Sequence, residues 1–290
     1  MELNFKSALV TGGAGFIGSH LVDALLEAGC RVTVIDNLAT GRKENLSHVA
    51  EQINFIEGDI LDEPLLTRAA AGCEVVFHQA AVVSVPKTVE DPVGSAAVND
   101  LGTVKVLEVA RRGGSRRVVL ASSSAVYGDD PSLPKKEEMP PRPLTPYAVQ
   151  KLTGEYNARL YHDLYGMETV CLRYFNVYGP RQDPSSPYSG VISIFMSRAM
   201  ENAAPMIYGD GGQFRDFIAR RPFNQADFKF DLGLFEYFNK RFDKRIRYFC
   251  DVFDHLLKIG FRQNNGESII TMHQNNCGIQ SLCKPNGIFG

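Results

Sequence analysis

The sequence predicts an α/β fold: a doubly wound parallel sheet followed by a small, atypical C-terminal lobe. Three observations lead there. Between Ser7 and Arg173, short and nearly continuous apolar runs alternate with amphipathic segments of helical length, as strands buried on both faces alternate with crossover helices. The first run ends in the glycine-rich turn "GGAGFIG" (Gly12 to Gly18) and passes directly into helical periodicity. After Ile218 this alternation stops.

In chain order the strands fall on "ALVT", "RVTVI", "INFIEG", "EVVFH", "RRVVLASS" and "ETVCLRY", with helices beginning near Phe16, Asp62, Val93 and Pro146. The proline-rich "DDPSLPKKEEMPPRPLTP" before Pro146 reads as a surface lid or crossover rather than a linker. "GVISIFMSRAMENAAPMIYGDGG" reads as a helix, a short strand and a turn. The expected organisation is a nucleotide-binding domain over 1–175, the start of a substrate-binding lobe over 176–218, and a divergent tail over 219–290.

Composition narrows the function classes. The chain has 290 residues, a formal charge of −2 and 22% charged residues, so no global field favours nucleic acid or an anionic membrane. No run approaches the roughly 20 apolar residues of a membrane span, and the expectation is a cytoplasmic protein. Cys30, Cys73, Cys171, Cys250, Cys277 and Cys283 are scattered, which suits reduced thiols and matches no zinc spacing. No metal is expected.

The glycine turn has a specific chemical reading. Gly12 permits a tight turn, Gly15 lets backbone approach a pyrophosphate, and Gly18 permits close packing of helix on strand, with the helix N-terminus facing the phosphates. This is the Rossmann arrangement. Asp36 ends the second strand, where a carboxylate accepts from both ribose hydroxyls and repels a 2′-phosphate, favouring NAD over NADP. Arg42 lies close by and is the residue type that accommodates such a phosphate. Asp59, in "EGDI", can receive the adenine amine or stand as a solvated loop carboxylate.

A second constellation follows the fifth strand. Tyr147 and Lys151 in "TPYAVQK" are four residues apart and share a helical face. Lowering a tyrosine pKa from about 10 to near 7 takes roughly 4 kcal/mol of preferential phenolate stabilisation. An ammonium, a positive nicotinamide ring and a helix N-terminus together can supply it. Ser124, in "LASSSAVYG", is expected to hydrogen-bond the same substrate oxygen from the strand side.

The order of glycine turn, acidic strand end, serine strand end and Tyr-Ala-Val-Gln-Lys helix resembles the extended short-chain dehydrogenase/reductase family. The resemblance is to NAD-dependent nucleotide-sugar epimerases of the UDP-glucose 4-epimerase type, over about residues 6–218. It implies that Gly12, Gly15, Phe16, Ile17 and Gly18 hold the pyrophosphate and that Asp36, Asn37, Leu38, Thr40 and Gly41 surround the adenosine. It places Asp59 and Ile60 at adenine, and Gln79, Ala80, Ala81, Asn99, Ser122, Tyr147, Lys151 and Tyr174 along the rest of the cofactor. Ser84, Val85, Ser124, Phe175, Asn176 and Arg215 would contact the UDP-sugar. His78 is expected to be a packed strand-end residue.

The resemblance also implies the reaction, 4-epimerisation of a UDP-hexose through a transient 4-ketose, and a homodimer built on the helices near 93–112 and 146–165. Related 4,6-dehydratases and uronate decarboxylases carry an acid just after the catalytic Ser/Thr. Here Ala125 and Val126 follow Ser124, which favours simple epimerisation. The alternatives are a 4-keto-sugar reductase and an NAD-binding protein with impaired catalysis.

After Ile218 the family's aromatic-valine-x-aspartate helix is replaced by Ala219, Arg220, Arg221 and Pro222. The balance of basic to acidic residues changes from 20 against 26 before that point to 11 against 7 after it, and 12 of the last 72 residues are aromatic. A helix-spaced apolar series runs from Leu234 to Leu257, and "SIIT" is the sole strand-like run in an otherwise Asn- and Gln-rich end, expected to be poorly ordered. A shifted reading frame, a divergent lobe and a partner-docking helix all fit this change.

Overall fold

A computed structural model describes residues 3–183, 191–201, 203, 204, 206, 217–219 and 268–271. Two compact units divide the chain. The first holds everything up to Tyr174 together with the strand Ser268–Thr271, and the second begins at Phe175.

The first unit follows the sequence pattern. It runs β1 (Ser7–Thr11), α1 (Phe16–Glu27), β2 (Arg31–Asp36), a 3₁₀ stretch (Lys43–Gln52), β3 (Ile53–Glu57), α2 (Glu63–Ala70) and β4 (Val75–His78). Short helices α3 (Val85–Glu90) and α4 (Pro92–Ala96) lead through a π-helical turn (Ala97–Leu101) into α5 (Gly102–Arg112). Then come β5 (Arg117–Ser123), a 3₁₀ turn (Ser124–Tyr127), α6 (Pro146–Tyr165) and β6 (Glu168–Tyr174).

Local chemistry sets the boundaries. Asp62 caps α2 by accepting from the Leu65 amide, and Thr145 caps α6 by accepting from the Ala148 amide, with proline in the first turn of both helices. Gly166 closes α6 in the left-handed conformation, which only glycine adopts without steric cost. β1 is buried along its whole length and β4 likewise, as central strands covered on both faces must be. On one face, Leu9, Val76, Val118 and Leu120 pack with Leu66 of α2, Leu107 and Ala110 of α5 and Ala158 of α6.

The sheet order is β3-β2-β1-β4-β5-β6 followed by the strand Ser268–Thr271, every pair parallel. Connections run one way from β1 to β3 and the other way from β4 onward, so the chain reverses between β1 and β4. In such sheets the crevice outside the carboxyl ends at the reversal receives the ligand.

The seventh strand, β9 (Ser268–Thr271), is the "SIIT" run, paired from Val170↔Ser268 to Arg173↔Thr271. These four residues are the strand-like run noted in the sequence: without them β6 would present an unpaired edge, and a short β-branched run satisfies it. The second unit contains β7 (Asn176–Tyr178), paired parallel with β8 (Phe217–Ala219), and α7 (Val191–Met200). The apolar series Leu234 to Leu257 lies outside the described residues. No helix among the described residues is long and apolar enough to cross a membrane.

Candidate active site

At the reversal point the glycine turn is packed to the limit. Gly12 has φ +68°, and a Cβ there would lie 2.7 Å from the Ala80 amide nitrogen; a Cβ on Gly18 would lie 2.1 Å from the Gly12 carbonyl oxygen. Gly15 is the N-cap of α1, with no side-chain cap and no acidic residue in the first turn formed by Phe16, Ile17 and Gly18. The first amides of α1 are therefore available to an anion. Asp36 is buried at the end of β2, accepting from the Ala14 amide at 2.9 Å and the Leu38 amide at 2.8 Å. Burial pushes its pKa up, while these backbone bonds oppose the shift.

The segment after β2 wraps this carboxylate. Leu38 takes a left-handed φ of 59°, and a Cβ on Gly41 would touch the Asp36 oxygens. Asn37 donates to Asp59 at 2.8 Å, joining the turns after β2 and β3. Thr40 lies in the same turn. Ile60 is buried in the apolar core. A nucleotide diphosphate fits this end: backbone donors and glycines leave the room, and a carboxylate stands at the strand end.

The second constellation lies at the carboxyl end of β5. Tyr147 is in the first turn of α6, and Lys151 Nζ lies 5.7 Å from its ring centroid. Burial pushes the Tyr147 phenol up, and the side chain that hydrogen-bonds it and opposes the shift is Ser123. Lys151 donates to the Ala121 carbonyl at 2.8 Å, and burial lowers its pKa to about 8.

The serine that hydrogen-bonds Tyr147 is thus Ser123, one residue before the expected Ser124. Ser122, Ser123 and Ser124 are consecutive, and nothing in a run of identical residues selects one of them. The fold does: Ser123 is the last residue of β5, in extended conformation, while Ser124 starts the 3₁₀ turn. Ser122 is expected at the cofactor, but its hydroxyl donates to Glu155 at 2.5 Å. The register change leaves Ser124 and Ala125 after the tyrosine-bonded serine, so no acid follows it in either register.

Beneath this end sits an ion pair without a signature in the sequence spacing. Arg173 and Glu155, 3% and 4% exposed, meet through two bonds of 2.9 and 2.7 Å. Burial works against the Arg173 charge, but Glu155 and Tyr127 more than offset it and its pKa is raised. The guanidinium also covers the Tyr127 ring at 4.8 Å and donates to the Glu137 carbonyl, fixing the proline-rich loop to the sheet.

His78 is buried, as expected for a packed strand-end residue. Nδ1 meets the Thr11 hydroxyl at 2.8 Å and Nε2 the Thr103 hydroxyl at 3.0 Å. Thr103 donates onward to the Asn99 carbonyl at 2.6 Å, so it accepts from His78, which carries its proton on Nε2. Burial, aided by the Lys151 charge, lowers the His78 pKa to about 3, keeping the ring neutral.

After β4, the Gln79 and Ala80 amides donate hydrogen bonds to the carbonyl and hydroxyl of Thr11 respectively, with Ala81 next in line. The Gln79 side chain hydrogen-bonds the Tyr174 phenol and opposes the upward shift that burial gives it. Asn99 lies in the π-helical turn and bonds Val82 rather than facing open space. Ser84 caps α3 by accepting from the Lys87 amide, and Val85 begins that helix. Tyr174 ends β6, its pKa raised by burial. Phe175 and Asn176 belong to the second unit, and Arg215 lies outside the described residues.

A glycine turn at the switch point and a Tyr–Lys helix after β5 in one doubly wound sheet define a nucleotide-binding protein of the short-chain dehydrogenase/reductase class. The sequence profile of the NAD-dependent epimerase/dehydratase family matches residues 8–221, and the chain belongs to that family. UDP-glucose 4-epimerase of Mycolicibacterium smegmatis is 45% identical over 72% of this chain and 68% of its own. The structure of UDP-N-acetylglucosamine 4-epimerase from Methanobrevibacter ruminantium, in complex with UDP-N-acetylmuramic acid, is 35% identical with a TM-score of 0.78, covering 96% of this chain and 79% of that one. Thermus thermophilus UDP-glucose 4-epimerase, in complex with NAD, is 44% identical with a TM-score of 0.67 over 73% and 70% of the two chains.

Proposed function

We propose that this chain is an NAD-dependent epimerase that interconverts UDP-hexoses at carbon 4. The observation that carries this reading is Tyr147 half-buried beside Lys151 and Ser123 at the carboxyl end of β5, with no acidic side chain following the serine. Elimination or decarboxylation would need an additional acid or base at that place. Relatives carrying the epimerase name support the same choice.

Bound NAD would supply a reversible acceptor for the hydride of C4. The protein's own part is proton management and orientation. Tyr147 would take the proton of the 4-hydroxyl and return it when the ketone is reduced on its other face, and Ser123 would hold that oxygen in line. The protein alone leaves the Tyr147 phenol above its ordinary pKa, so the phenolate depends on positive charge brought near it. Lys151, with a pKa of about 8, still carries most of its charge at neutral pH. Gly12, Gly15 and the first amides of α1 would bind the pyrophosphate, and Asp36 the adenosine ribose.

The test is conversion of UDP-glucose to UDP-galactose by the full chain, followed chromatographically. Tyr147→Phe is expected to lower kcat by about 10²–10⁴-fold with bound NAD retained. No turnover of any UDP-hexose by folded protein would sink the reading.

The same reading includes a homodimer. Val149, Tyr156, Leu160 and Leu164 recur along one side of α6 and are at least half exposed, as are Val93 and Leu101 on the neighbouring α4 and π-helical turn. A second copy packed on these helices would cover them. Light scattering should give a dimer mass, reduced to the monomer mass by Leu160→Glu with Leu164→Glu.

A further inference from the structure

Gln150 lies between the exposed Val149 and Lys151, yet it is only 5% exposed. Its Oε1 accepts from Asn99 Nδ2 at 2.7 Å, and its Nε2 donates to the Ser95 hydroxyl at 2.9 Å. Ser95 in turn donates to the Pro92 carbonyl at 3.1 Å. Asn99 grips one residue from both sides: Oδ1 accepts from the Val82 amide at 2.8 Å and Nδ2 donates to the Val82 carbonyl at 3.0 Å. Every polar atom of both amides is engaged, so neither can rotate without leaving a buried group unsatisfied. The π-helical turn Ala97–Leu101 presents Asn99 here, a local widening of the kind that recurs at functional sites.

We infer that Gln150 is a positioning residue. Through Asn99 it fixes the segment 79–84, which carries Gln79, Ala80 and Ser84, against the helix that carries Tyr147 and Lys151. An apolar side chain of the same size would fill the space without the desolvation penalty of an amide. The amide adds a defined distance between two ligand-facing elements that no covalent or strand pairing joins. This inference rests on the roles proposed above for Tyr147 and Lys151.

The test uses the full chain with Gln150→Met, which keeps volume and removes both bonds. Gln150→Glu provides the rescue, because its carboxyl group can still accept from Asn99 and share a proton with Ser95. Amide hydrogen exchange of peptides covering 79–84 in Gln150→Met is expected to quicken about tenfold, with β1 and β4 peptides unchanged. On UDP-glucose, kcat should fall about 10–100-fold while KM moves less than about threefold, and Gln150→Glu should recover most of it.

Unchanged exchange over 79–84 would overturn the inference. So would quickened exchange throughout β1 and β4, or a kcat loss that Gln150→Glu does not relieve. If the unmodified chain turns over no UDP-hexose, the proposed function fails, and the exchange measurement still decides the positioning role. If Gln150→Met does not fold, Ser95→Ala opens the far end of the same chain of bonds and should quicken 79–84 by about threefold, no change overturning the inference.

Discussion

The carboxyl ends of β1–β3 and of β5–β6 build their halves of the site by opposite means. The first uses backbone: glycines without side chains, free amides at the start of α1, and a carboxylate held by main-chain donors. The second uses buried side chains that hold one another, Ser122 to Glu155, Glu155 to Arg173, Gln150 to Asn99. A backbone site tolerates change in its neighbours but no added carbon. A side-chain site has room for atoms and no tolerance for a missing partner.

Four substitutions would break or sharpen this contrast. The largest stability loss belongs to the side-chain half: Glu155→Gln strips the charge that Arg173 is buried against, and losing one partner of such a pair costs about 3–5 kcal/mol. Urea unfolding reads it, and a change below about 1 kcal/mol would mean the pair is structurally idle. Gly18→Ala should cost about 1–3 kcal/mol, because its Cβ would lie 2.1 Å from the Gly12 carbonyl oxygen. NAD carried through purification should fall with it, and full retention would show that the turn yields. The smallest effect separates two adjacent serines. Ser123→Ala should lower kcat by up to about tenfold, the worth of one hydrogen bond, whereas Ser124→Ala should leave kcat within about twofold. The reverse result would restore Ser124 to the role read from the sequence.

The same contrast explains what was legible in the sequence. Gly12, Gly15, Gly18 and Asp36 are readable because a turn, a strand end and a helix start are local events with fixed spacing. Tyr147 and Lys151 are readable because a helix repeats. Ser123 could not be separated from its two serine neighbours, since its distinction is where β5 ends. Glu155, Arg173, Gln150 and Asn99 meet across 18 to 51 positions of sequence, and no period links such partners. The strand at Ser268–Thr271 was visible as a short β-branched run, but its place beside β6 depends on an edge that only the assembled sheet offers.

That outer strand also sets an order of events. β6 and β9 pair in parallel although they lie nearly a hundred residues apart in sequence, so closing the sheet requires one of the longest loops in the chain. During synthesis β1 to β6 can assemble in the order they emerge. β9 is among the last segments of these 290 residues to appear, and until it arrives β6 remains an open edge capable of pairing with another chain.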